Sequence, residues 1–551
     1  MRIQFIIAPL ALAAMACTVV TADPEAGRDA RGMNGAVTAG HPLAAEAGLR
    51  VLLDGGNAMD AAITMAAVLA VARPHMNGLG GDMFLIYHEA ATRQVFALNA
   101  SGRSGSAATL AALRERGLEA MPETGPTSVS VPGAVGGWGE ALGRFGSYTW
   151  AEALEPAVAL ARDGLPVSER LSLDIAGQIE KLREEATAAE IFLPGDAAPE
   201  AGTTLMMPDL EATFARVQEN GPEEMYTGET GGRIVEYLAE RNGLLLSGDL
   251  AAYQPEWVEP IRGRYRDFEV LALPPNTQGV ALISELTMLD RIDLKVMSHN
   301  STAYLHTIAE AIRIAVTDRD SSVADPDAMR VTVEELLDVA RLGPLAQGID
   351  PNGFAPEPEA ATDDDHPNTV YVSVVDKDGN VVSLIQSLFH AFGSGLVVPG
   401  TGVVLHNRGS LFRFDEQHPN VFAPGRRPYH TLSPAMVLLG GRPRLTFGTP
   451  GGDGQTHTLV QVLNNMLLFG MTPQQAIDAP RMRRLPNGAL AIEDRVPVEV
   501  LNALTARGYS VLPRAGWTAE FGGAQAIFID ATTGEKRAGA DRRREGWSLA
   551  Y

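Results

Sequence analysis

The sequence has almost no cysteine. Cys17 is the only cysteine among 551 residues, and it lies in an N-terminal stretch that we expect to be removed after Ala22. A mature chain without a thiol cannot form a disulfide bond, use a thiolate nucleophile or bind a metal through cysteine. Any catalysis on this chain therefore depends on hydroxyl, carboxylate, imidazole or backbone groups.

Basic residues are scarce relative to acidic ones. The chain has 44 Lys and Arg against 67 Asp and Glu, which gives a formal net charge of -23. An acidic surface of this kind repels nucleic acid and anionic membranes, so neither is expected as a partner. The composition is otherwise that of a globular protein with a large core, because 45% of the residues are hydrophobic.

Apart from the N-terminus, the sequence has no apolar run of membrane length free of charges or Gly/Pro breaks. The N-terminal run, Phe5 to Met15, follows Arg2 and is too short for a stable span. It predicts a signal peptide over residues 1–22 and a periplasmic or secreted protein. Two alternatives stay open: a lipid anchor at Cys17, for which the flanking residues are a weak match, and an uncleaved tail.

Hydrophobic periodicity predicts an alternation of helices and strands. A helical pattern over 44–72 is split at Gly55-Gly56-Asn57, with Asn57 placed to cap a buried second helix. A stretch rich in Gly and Pro, 343–368, predicts a linker. Two sheets packed between helices fit this pattern, which does not by itself prove that architecture. Helices are further predicted near 151–163, 170–186, 208–218, 303–317, 456–468 and 473–479, and strands near 370–376, 381–388, 396–406, 434–440, 443–447, 489–493 and 523–530.

The polar pair Asn368-Thr369 precedes a strand of β-branched and aromatic residues. In the simplest interpretation, Asn ends a loop and Thr begins a strand. In the alternative, the chain is cut between the two residues, and Thr369 gains a free α-amine with a pKa of about 8. That amine can act as general base for the Thr369 hydroxyl, which can itself make the cut by attacking the Asn368 carbonyl.

A nucleophile of this kind needs donors for an oxyanion. The turn GTPGGDGQTH, residues 448–457, connects a predicted strand to a predicted helix. Gly451 and Gly452 lack side chains, so their N–H groups can point at a developing oxyanion. The alternative is a tight strand-to-helix connection with no catalytic role. Phosphate-binding glycine spacings are absent, no metal-ligand spacing is found, and no cofactor is expected.

Nine stretches in consistent order give the chain, from about Gly35 to its C-terminus, a resemblance to the γ-glutamyltransferase family of N-terminal nucleophile hydrolases. One such stretch would be weak, whereas nine are highly specific. They are HPLAAEAGLRVLLDGGNAMDAA (41–62), NGLGGDMF (77–84), GDLAAYQPEW (248–257), PPNTQG (274–279), HTIAEAIRIAVTDRD (306–320), NTVYVSVVDKDGN (368–380), APGRRP (423–428), LSPAM (432–436) and GTPGGDG (448–454).

The resemblance implies an α+β fold, the four-layer αββα sandwich, and a precursor that cleaves itself. Residues 23–368 would form the large subunit and residues 369–551 the small subunit, with a higher oligomer left open. The resemblance also implies a role for each matching site residue. Thr369 would be the nucleophile, Gly451 and Gly452 would form the oxyanion hole, and Ser387 would support the amine of Thr369.

Several positions depart from the family pattern for binding glutamate. At the position of the family's carboxylate-binding Arg, this sequence has Ser101, with Arg103 nearby. Phe389 replaces a family Asn, and Arg408 and Leu411 replace the two residues that bind the α-amine. His430 and Thr431 replace the family's paired serines. Arg408 would repel an ammonium group unless its side chain turns away. This favours an acyl group without an α-amine, as in family members that cleave glutaryl-cephalosporins or oxamate. Alternatively, Arg103 and His430 rebuild glutamyl binding, or Arg408 is a surface or lid residue.

The sequence therefore predicts a self-processing amidohydrolase or acyltransferase acting on a small-molecule amide, with water or an amine as acceptor. γ-Glutamyl amides such as glutathione are the first expectation, and acyl amides that lack the α-amine are the second. The rival hypothesis is a non-catalytic binding protein that keeps the fold. Retention of Thr369, Ser387 and the Gly451-Gly452 pair argues against that rival.

Overall fold

The computed structural model of the chain describes residues 28–354 and 368–551. Two seven-stranded antiparallel sheets form its centre. Sheet I contains, in spatial order, Ala30–Gly32, Lys536–Ala540, Gln525–Ile529, Arg442–Gly448, Ala435–Leu439, Phe268–Ala272 and Ile261–Tyr265. Sheet II contains Trp547–Ala550, Ala36–Ala39, Asn368–Val375, Val381–Phe389, Asp82–Glu89, Gln94–Ala100 and Glu256–Val258.

Helices cover the outer face of each sheet, and shorter strands form small additional sheets. The α-helices are Pro42–Leu53, Ala58–Ala72, Leu110–Glu115, Ala134–Phe145, Trp150–Asp163, Glu169–Ala176, Ile179–Arg183, Ala186–Phe192, Pro208–Asn220, Glu229–Glu240, Ser247–Ala251, Gly279–Leu289, Thr302–Ser322, Val333–Leu336, Val339–Gln347, Gly454–Leu467, Pro473–Asp478 and Val498–Ala506. The remaining strands are Leu165–Pro166, Thr204–Leu205, Val397–Val398, Val403–Val404, Met482–Arg484, Leu490–Glu493 and Val511–Arg514.

Three apolar cores separate the layers. The two sheets face each other across a core that includes Phe84, Tyr371, Ile385 and Met436. A second core joins sheet II to the helices of the N-terminal half, and a third joins sheet I to helices such as Gly279–Leu289. Each fully buried Leu, Ile or Phe contributes roughly 1.5–3 kcal/mol, so these cores dominate the stability of the layers. The architecture is the four-layer αββα sandwich.

The most apolar helix shows how sequence and packing agree. Asn57 caps Ala58–Ala72, because its side chain accepts hydrogen bonds from the backbone of Met59 and Asp60. Every residue of this helix is buried. An all-round apolar helix of this kind has no polar face for solvent and must lie inside the protein.

Several predicted elements differ from those observed. The helix expected over 170–186 is broken at Gly177-Gln178 into Glu169–Ala176 and Ile179–Arg183. The strand expected over 396–406 is reduced to two pairs of residues, since Gly400 and Gly402 adopt positive φ angles of 67° and 65° between them. The helix expected over 303–317 extends to Ser322.

The predicted linker is partly wrong. Its first residues, 343–347, belong to the helix Val339–Gln347, and residues 355–367 lie outside the described part of the chain. The predicted signal peptide over residues 1–22, with Cys17, also lies outside it. Within the described residues, no helix is long and apolar enough to cross a bilayer.

Candidate active site

Thr369 lies in a β-bulge at the start of its strand. Asn368 pairs with Phe389 and Val370 pairs with Gln386, so the register shifts across Thr369. Two residues of the opposite strand, Ser387 and Leu388, therefore face the single residue Thr369. Thr369 is almost completely buried, and its hydroxyl donates a hydrogen bond to the hydroxyl of Ser387 over 3.1 Å.

Ser387 connects the two sides of the Asn368-Thr369 peptide bond. Its hydroxyl donates to the carbonyl oxygen of Asn368 over 2.7 Å and accepts from the Thr369 hydroxyl and from the backbone N–H of Phe389. The expected supporting hydroxyl therefore contacts both the expected nucleophile and the carbonyl that it would attack. A hydroxyl donor at this carbonyl stabilises negative charge that develops on the oxygen.

Arg544, which sequence reasoning missed, holds the side chain of Asn368. Its Nη1 donates to Asn368 Oδ1 over 2.7 Å, and its Nε and Nη2 donate to the Ala519 carbonyl over 3.1 and 3.0 Å. Burial is the main cause that lowers the pKa of Arg544 to about 10, so the guanidinium stays charged at neutral pH. The C-terminal residues thus contribute to the environment of the Asn368-Thr369 junction.

The glycine-rich turn lies beside the strand of Thr369. Gly448, which ends the preceding strand, packs so closely on Tyr371 that a Cβ atom would lie 2.2 Å from its ring. Gly451 and Gly452 have φ angles of 135° and 55°, a region that favours glycine. Their carbonyls accept hydrogen bonds from the first turn of the next helix, whereas neither of their N–H groups donates to another described residue. Two donors are thus available at this turn.

A buried polar network fixes the turn from behind. Nε2 of Gln278 donates to the carbonyls of Gly452 and Thr431 over 2.9 and 2.5 Å. Arg319 in turn donates to Gln278 Oε1 over 2.9 Å and lies 3.2 Å from Asp453. Gln278 and Arg319 were not singled out, although both lie in stretches, PPNTQG and HTIAEAIRIAVTDRD, that carry the family resemblance.

Arg408 forms a cluster with two other residues at which the sequence departs from the family pattern. Its guanidinium carbon lies 4.5 Å from the centre of the Phe389 ring, and its Nη1 donates to Thr431 Oγ1 over 3.3 Å. The residue is fully buried, so the alternative of a surface position is wrong. Within the described chain, its Nε and Nη2 atoms have no hydrogen-bond partner. Burial lowers the pKa of Arg408 to about 10, which leaves it protonated at neutral pH.

His430 lies next to this cluster and is electrically neutral. Burial, together with the nearby charge of Arg408, lowers the pKa of His430 well below its usual value. Its Nε2 lies 3.4 Å from Asp82 Oδ2, and its ring packs edge-on against Phe84 with 5.0 Å between centres. Asp82 is itself buried, which raises its pKa, and it pairs with Ser387 on the neighbouring strand. The resemblance stretch NGLGGDMF includes Asp82, which was not selected as a site residue.

Arg103 has partners of its own. Its Nη1 lies 2.9 Å from Asp325 and donates to the Gly425 carbonyl, and its Nη2 lies 3.5 Å from Glu256. Its side chain is 36% exposed, and none of these contacts joins it to the Arg408 cluster. The substrate-binding role of Arg103 stays a prediction.

Two further positions from the sequence comparison serve the local structure. Ser101 donates to Asn99 Oδ1 over 2.7 Å and accepts from Asn276 over 3.3 Å. Leu411 ends the short 3₁₀-helix Arg408–Leu411, and its carbonyl accepts from Asn420 over 2.7 Å. Leu411 thus offers an apolar side chain where the family pattern has an acidic one.

Comparison with known proteins gives consistent results along almost the whole chain. The family model described as gamma-glutamyltranspeptidase matches residues 44–551. A glutathione hydrolase-like proenzyme (YwrD) of Bacillus subtilis is 36% identical over 93% of this chain and 97% of that protein. An oxamate amidohydrolase proenzyme of Klebsiella pneumoniae is 34% identical over 94% of this chain and 98% of that protein.

The fold comparison agrees with the sequence comparison. The crystal structure of a cephalosporin acylase from Bacillus halodurans superposes with a TM-score of 0.90 and 34% identity, and covers 96% of this chain and 98% of that one. This match confirms the four-layer sandwich and the expected likeness to acylase-type and oxamate-type members. The chain therefore belongs to the gamma-glutamyltranspeptidase family of enzymes.

Proposed function

We propose that this chain cleaves itself at Asn368-Thr369 and then hydrolyses small amides whose acyl group carries a carboxylate but no α-ammonium group. The names of its relatives include hydrolases, an amidohydrolase and acylases, and several of these proteins are described as proenzymes. The proposal places acyl amides of the glutaryl or oxamate type ahead of γ-glutamyl amides, which reverses the order expected from the sequence.

Self-cleavage would proceed through an ester. The Thr369 hydroxyl attacks the Asn368 carbonyl carbon, while Ser387 donates to the carbonyl oxygen. The C–N bond breaks, the nitrogen of Thr369 takes up a proton, and Asn368 is left esterified to the Thr369 oxygen. Water then hydrolyses the ester, which yields a carboxylate at Asn368 and a free Thr369 with both its amine and its hydroxyl.

The same hydroxyl would next act on the substrate. The free α-amine of Thr369 takes the hydroxyl proton while the oxygen attacks the amide carbonyl. The N–H groups of Gly451 and Gly452 donate to the oxyanion, a contribution of about 10²–10³ in kcat for one such donor in comparable sites. The amine passes the proton to the departing nitrogen. Water, or an acceptor amine, then releases the acyl group.

The observation that carries the choice of substrate is the buried guanidinium of Arg408. A buried charge with unused donors costs several kcal/mol, and a ligand carboxylate would offset that cost by adding a hydrogen-bonded counter-charge to the nearby charges of Asp82 and Asp453. Its Nε and Nη2 donors are unused, and Phe389 and Thr431 hold the group in place. A carboxylate can accept from both donors, whereas an ammonium group would meet like charge.

The second candidate is γ-glutamyl hydrolysis or transfer, which the name of the Bacillus subtilis relative favours. A γ-glutamyl group also carries a carboxylate for Arg408, but it needs acceptors for its ammonium. Of the two acidic residues near Arg408, Asp82 is fully buried, and Asp453 already accepts a hydrogen bond from Tyr429 over 3.1 Å and lies 3.2 Å from Arg319. This arrangement makes γ-glutamyl the weaker candidate.

A comparison of three p-nitroanilides tests the proposal. Glutaryl, γ-glutamyl and butyryl p-nitroanilide share the leaving group. The glutaryl group carries a carboxylate, the γ-glutamyl group a carboxylate and an ammonium, and the butyryl group neither. A charge-assisted hydrogen bond contributes about 1.5–3 kcal/mol, so kcat/KM should be about 10- to 100-fold higher for glutaryl than for butyryl. It should also be at least about 10-fold higher for glutaryl than for γ-glutamyl. Faster turnover of the γ-glutamyl compound would overturn the choice of acyl group.

We further propose export, with the segment 1–22 as the signal. Its support is the short apolar run after Arg2. N-terminal sequencing of the large chain from the producing cell tests this point. A chain that begins at Asp23 in the periplasm or medium is expected, whereas a cytoplasmic chain beginning at Met1 would contradict it.

A further inference from the structure

A cleft borders the Asn368-Thr369 junction. It has a volume of about 350 Å³ and opens beside Asn368. One wall comes from the helices near residue 175, a second from the His390 region and a third from the C-terminal part of the chain. The lining residues that carry the argument are Arg170, Asp174, His390, Trp517, Glu520 and Arg544.

This cleft is separated from the Arg408 cluster by two stacked rings. Phe389 and His390 stack with 4.2 Å between their centres and an angle of 23° between their planes. Arg408 packs against Phe389, whereas His390 lines the cleft. The two rings therefore separate the buried Arg408 cluster on one side from the cleft on the other.

The cleft also adjoins the oxyanion turn. The loop that lines it continues from Trp517 to Gly522, whose Cα would lie 3.5 Å from a Cβ atom on Gly451. Gly523 donates from its backbone to Thr449 Oγ1 over 3.1 Å, which ties this loop to the turn. A carbonyl carbon attacked by Thr369 carries three other groups: its oxygen, the acyl chain and the departing nitrogen. If the oxygen points to the turn and the acyl chain to Arg408, the departing nitrogen points to the cleft.

Arg544 brings positive charge to the cleft, as does Lys181, whose Nζ donates to the Ala391 carbonyl over 3.0 Å. Both carboxylates in the cleft lining already have arginine partners, since Asp174 pairs with Arg170 at 2.7 Å and Glu520 pairs with Arg514 at 2.9 Å. In the described chain, the side chain that Arg544 bonds is that of Asn368. Once the chain is cut and Asn368 departs, the Nη1 donor of a buried guanidinium faces the cleft.

We propose that this cleft is the subsite for the amine side of the substrate, and that Arg544 there pairs with a carboxylate on the leaving group. The same subsite would take an acceptor amine that carries a carboxylate. The inference rests on the proposed function, because the cleft gains its free donor only after cleavage at Asn368. No new bond is involved: the departing nitrogen takes its proton from the Thr369 amine, and the leaving-group carboxylate stays ionised.

A matched pair of leaving groups tests the inference. N-glutaryl-4-aminobenzoate and N-glutaryl-4-aminobenzamide have the same acyl group and nearly the same shape, and they differ in one negative charge. For the processed enzyme, kcat/KM should be about 10-fold or more higher for the benzoate. Equal values would overturn the proposal and would indicate that the Asn368 carboxylate formed by cleavage stays paired with Arg544.

Substitution of Arg544 assigns the preference to this residue. Arg544→Gln should abolish the preference for the benzoate, whereas Arg544→Lys should retain part of it. Arg542→Gln is the matched control, because Arg542 lies in the same turn, pairs with Asp478 and is absent from the cleft lining. A preference that survives in Arg544→Gln would contradict the assignment. If Arg544→Gln does not cleave itself, the ratio of kcat/KM for the benzoate to kcat/KM for the benzamide in the wild-type enzyme decides whether the proposal stands.

The γ-glutamyl analogues of the same pair separate this inference from the proposed function. Slow glutaryl turnover with a benzoate preference in the γ-glutamyl pair would overturn the proposed acyl group and support the cleft. Fast glutaryl turnover without a benzoate preference would support the acyl group and overturn the cleft.

Discussion

Ser387 donates a hydrogen bond of 2.7 Å to the carbonyl oxygen of Asn368 from the neighbouring strand. The same hydroxyl accepts from Thr369 at 3.1 Å, so the expected nucleophile and the carbonyl that it would attack share one neighbour. The two side chains lie opposite each other at the β-bulge, where Ser387 and Leu388 together face Thr369. Self-cleavage should therefore depend on the hydroxyl of residue 387.

Ser387→Ala should slow self-cleavage by about 10²-fold, since it removes a donor to the developing oxyanion. The rate is measured by intact mass of the purified precursor over time. Ser387→Thr keeps the hydroxyl and should cleave at a rate close to the wild type. A Ser387→Ala protein that cleaves as fast as Ser387→Thr would show that this hydrogen bond has no part in the reaction.

Gly452→Ala should reduce kcat of processed enzyme by about 10²-fold, because an alanine disfavours the φ of 55° and displaces the N–H donors. Gly440→Ala is the matched control. Gly440 has a φ of 58°, and a Cβ atom there meets nothing within 4 Å. Similar losses of kcat in the two variants would mean that backbone strain alone, and not the position of the donors, explains the effect.

Arg408→Gln should lower kcat/KM for glutaryl p-nitroanilide by about 10- to 100-fold and leave the butyryl compound nearly unchanged. The reason is the loss of the buried positive charge that would face the acyl carboxylate. Arg413→Gln, which changes an exposed arginine in the next turn of the chain, controls for net charge. An equal loss with both acyl groups would point to a structural role for Arg408.

Glu285 should make the stability of the protein depend on pH. It accepts from Thr456 over 2.8 Å, and its burial raises its pKa to about 8. Between pH 4.5 and 8 the folded protein holds a proton that the unfolded chain has released. The free energy of unfolding therefore falls as pH rises through this range, by up to about 1.4 kcal/mol per pH unit from this group.

Glu285→Gln replaces the titrating carboxyl group with a neutral amide. It should therefore raise the denaturation midpoint at pH 8 far more than at pH 5. Denaturant unfolding at the two pH values measures the difference. Glu236→Gln, on an exposed helix position, is the control for the loss of one carboxyl group. A gain in midpoint that is equal at pH 5 and pH 8 would contradict the raised pKa of Glu285.

The sequence was informative where local chemistry decides the structure. Asn57 was expected to cap a buried helix because its side chain and the apolar run are adjacent in sequence. Thr369 and the glycine pair were predicted from motifs that lie next to strands, and Ser387 from the resemblance to the family. Arg544 and Asp82 were missed, since their importance comes from contacts with Asn368 and Ser387 that are formed only when distant segments meet in the fold.

Arg408 shows the same limit. The sequence indicated a positive charge at Arg408, where the family binds an ammonium group. It did not indicate that this side chain is buried, so a surface position was equally open. Burial depends on how the segment after the strand Val381–Phe389 packs against residues 428–431, which no local pattern encodes. The helix expected over 170–186 breaks at Gly177, a residue that disfavours a helix interior and that was outweighed in the prediction by the apolar pattern on both sides.

Intact mass of the wild-type protein beside its Thr369→Ala variant tests the central claim most directly. The account requires that the wild type yields two chains, one beginning at Thr369 and ending at Tyr551, while the variant stays whole. Thr369→Ser, which keeps a hydroxyl, should still cleave. A folded wild-type protein that stays a single chain would contradict the account, because Thr369 would never gain the free amine on which the proposed chemistry depends.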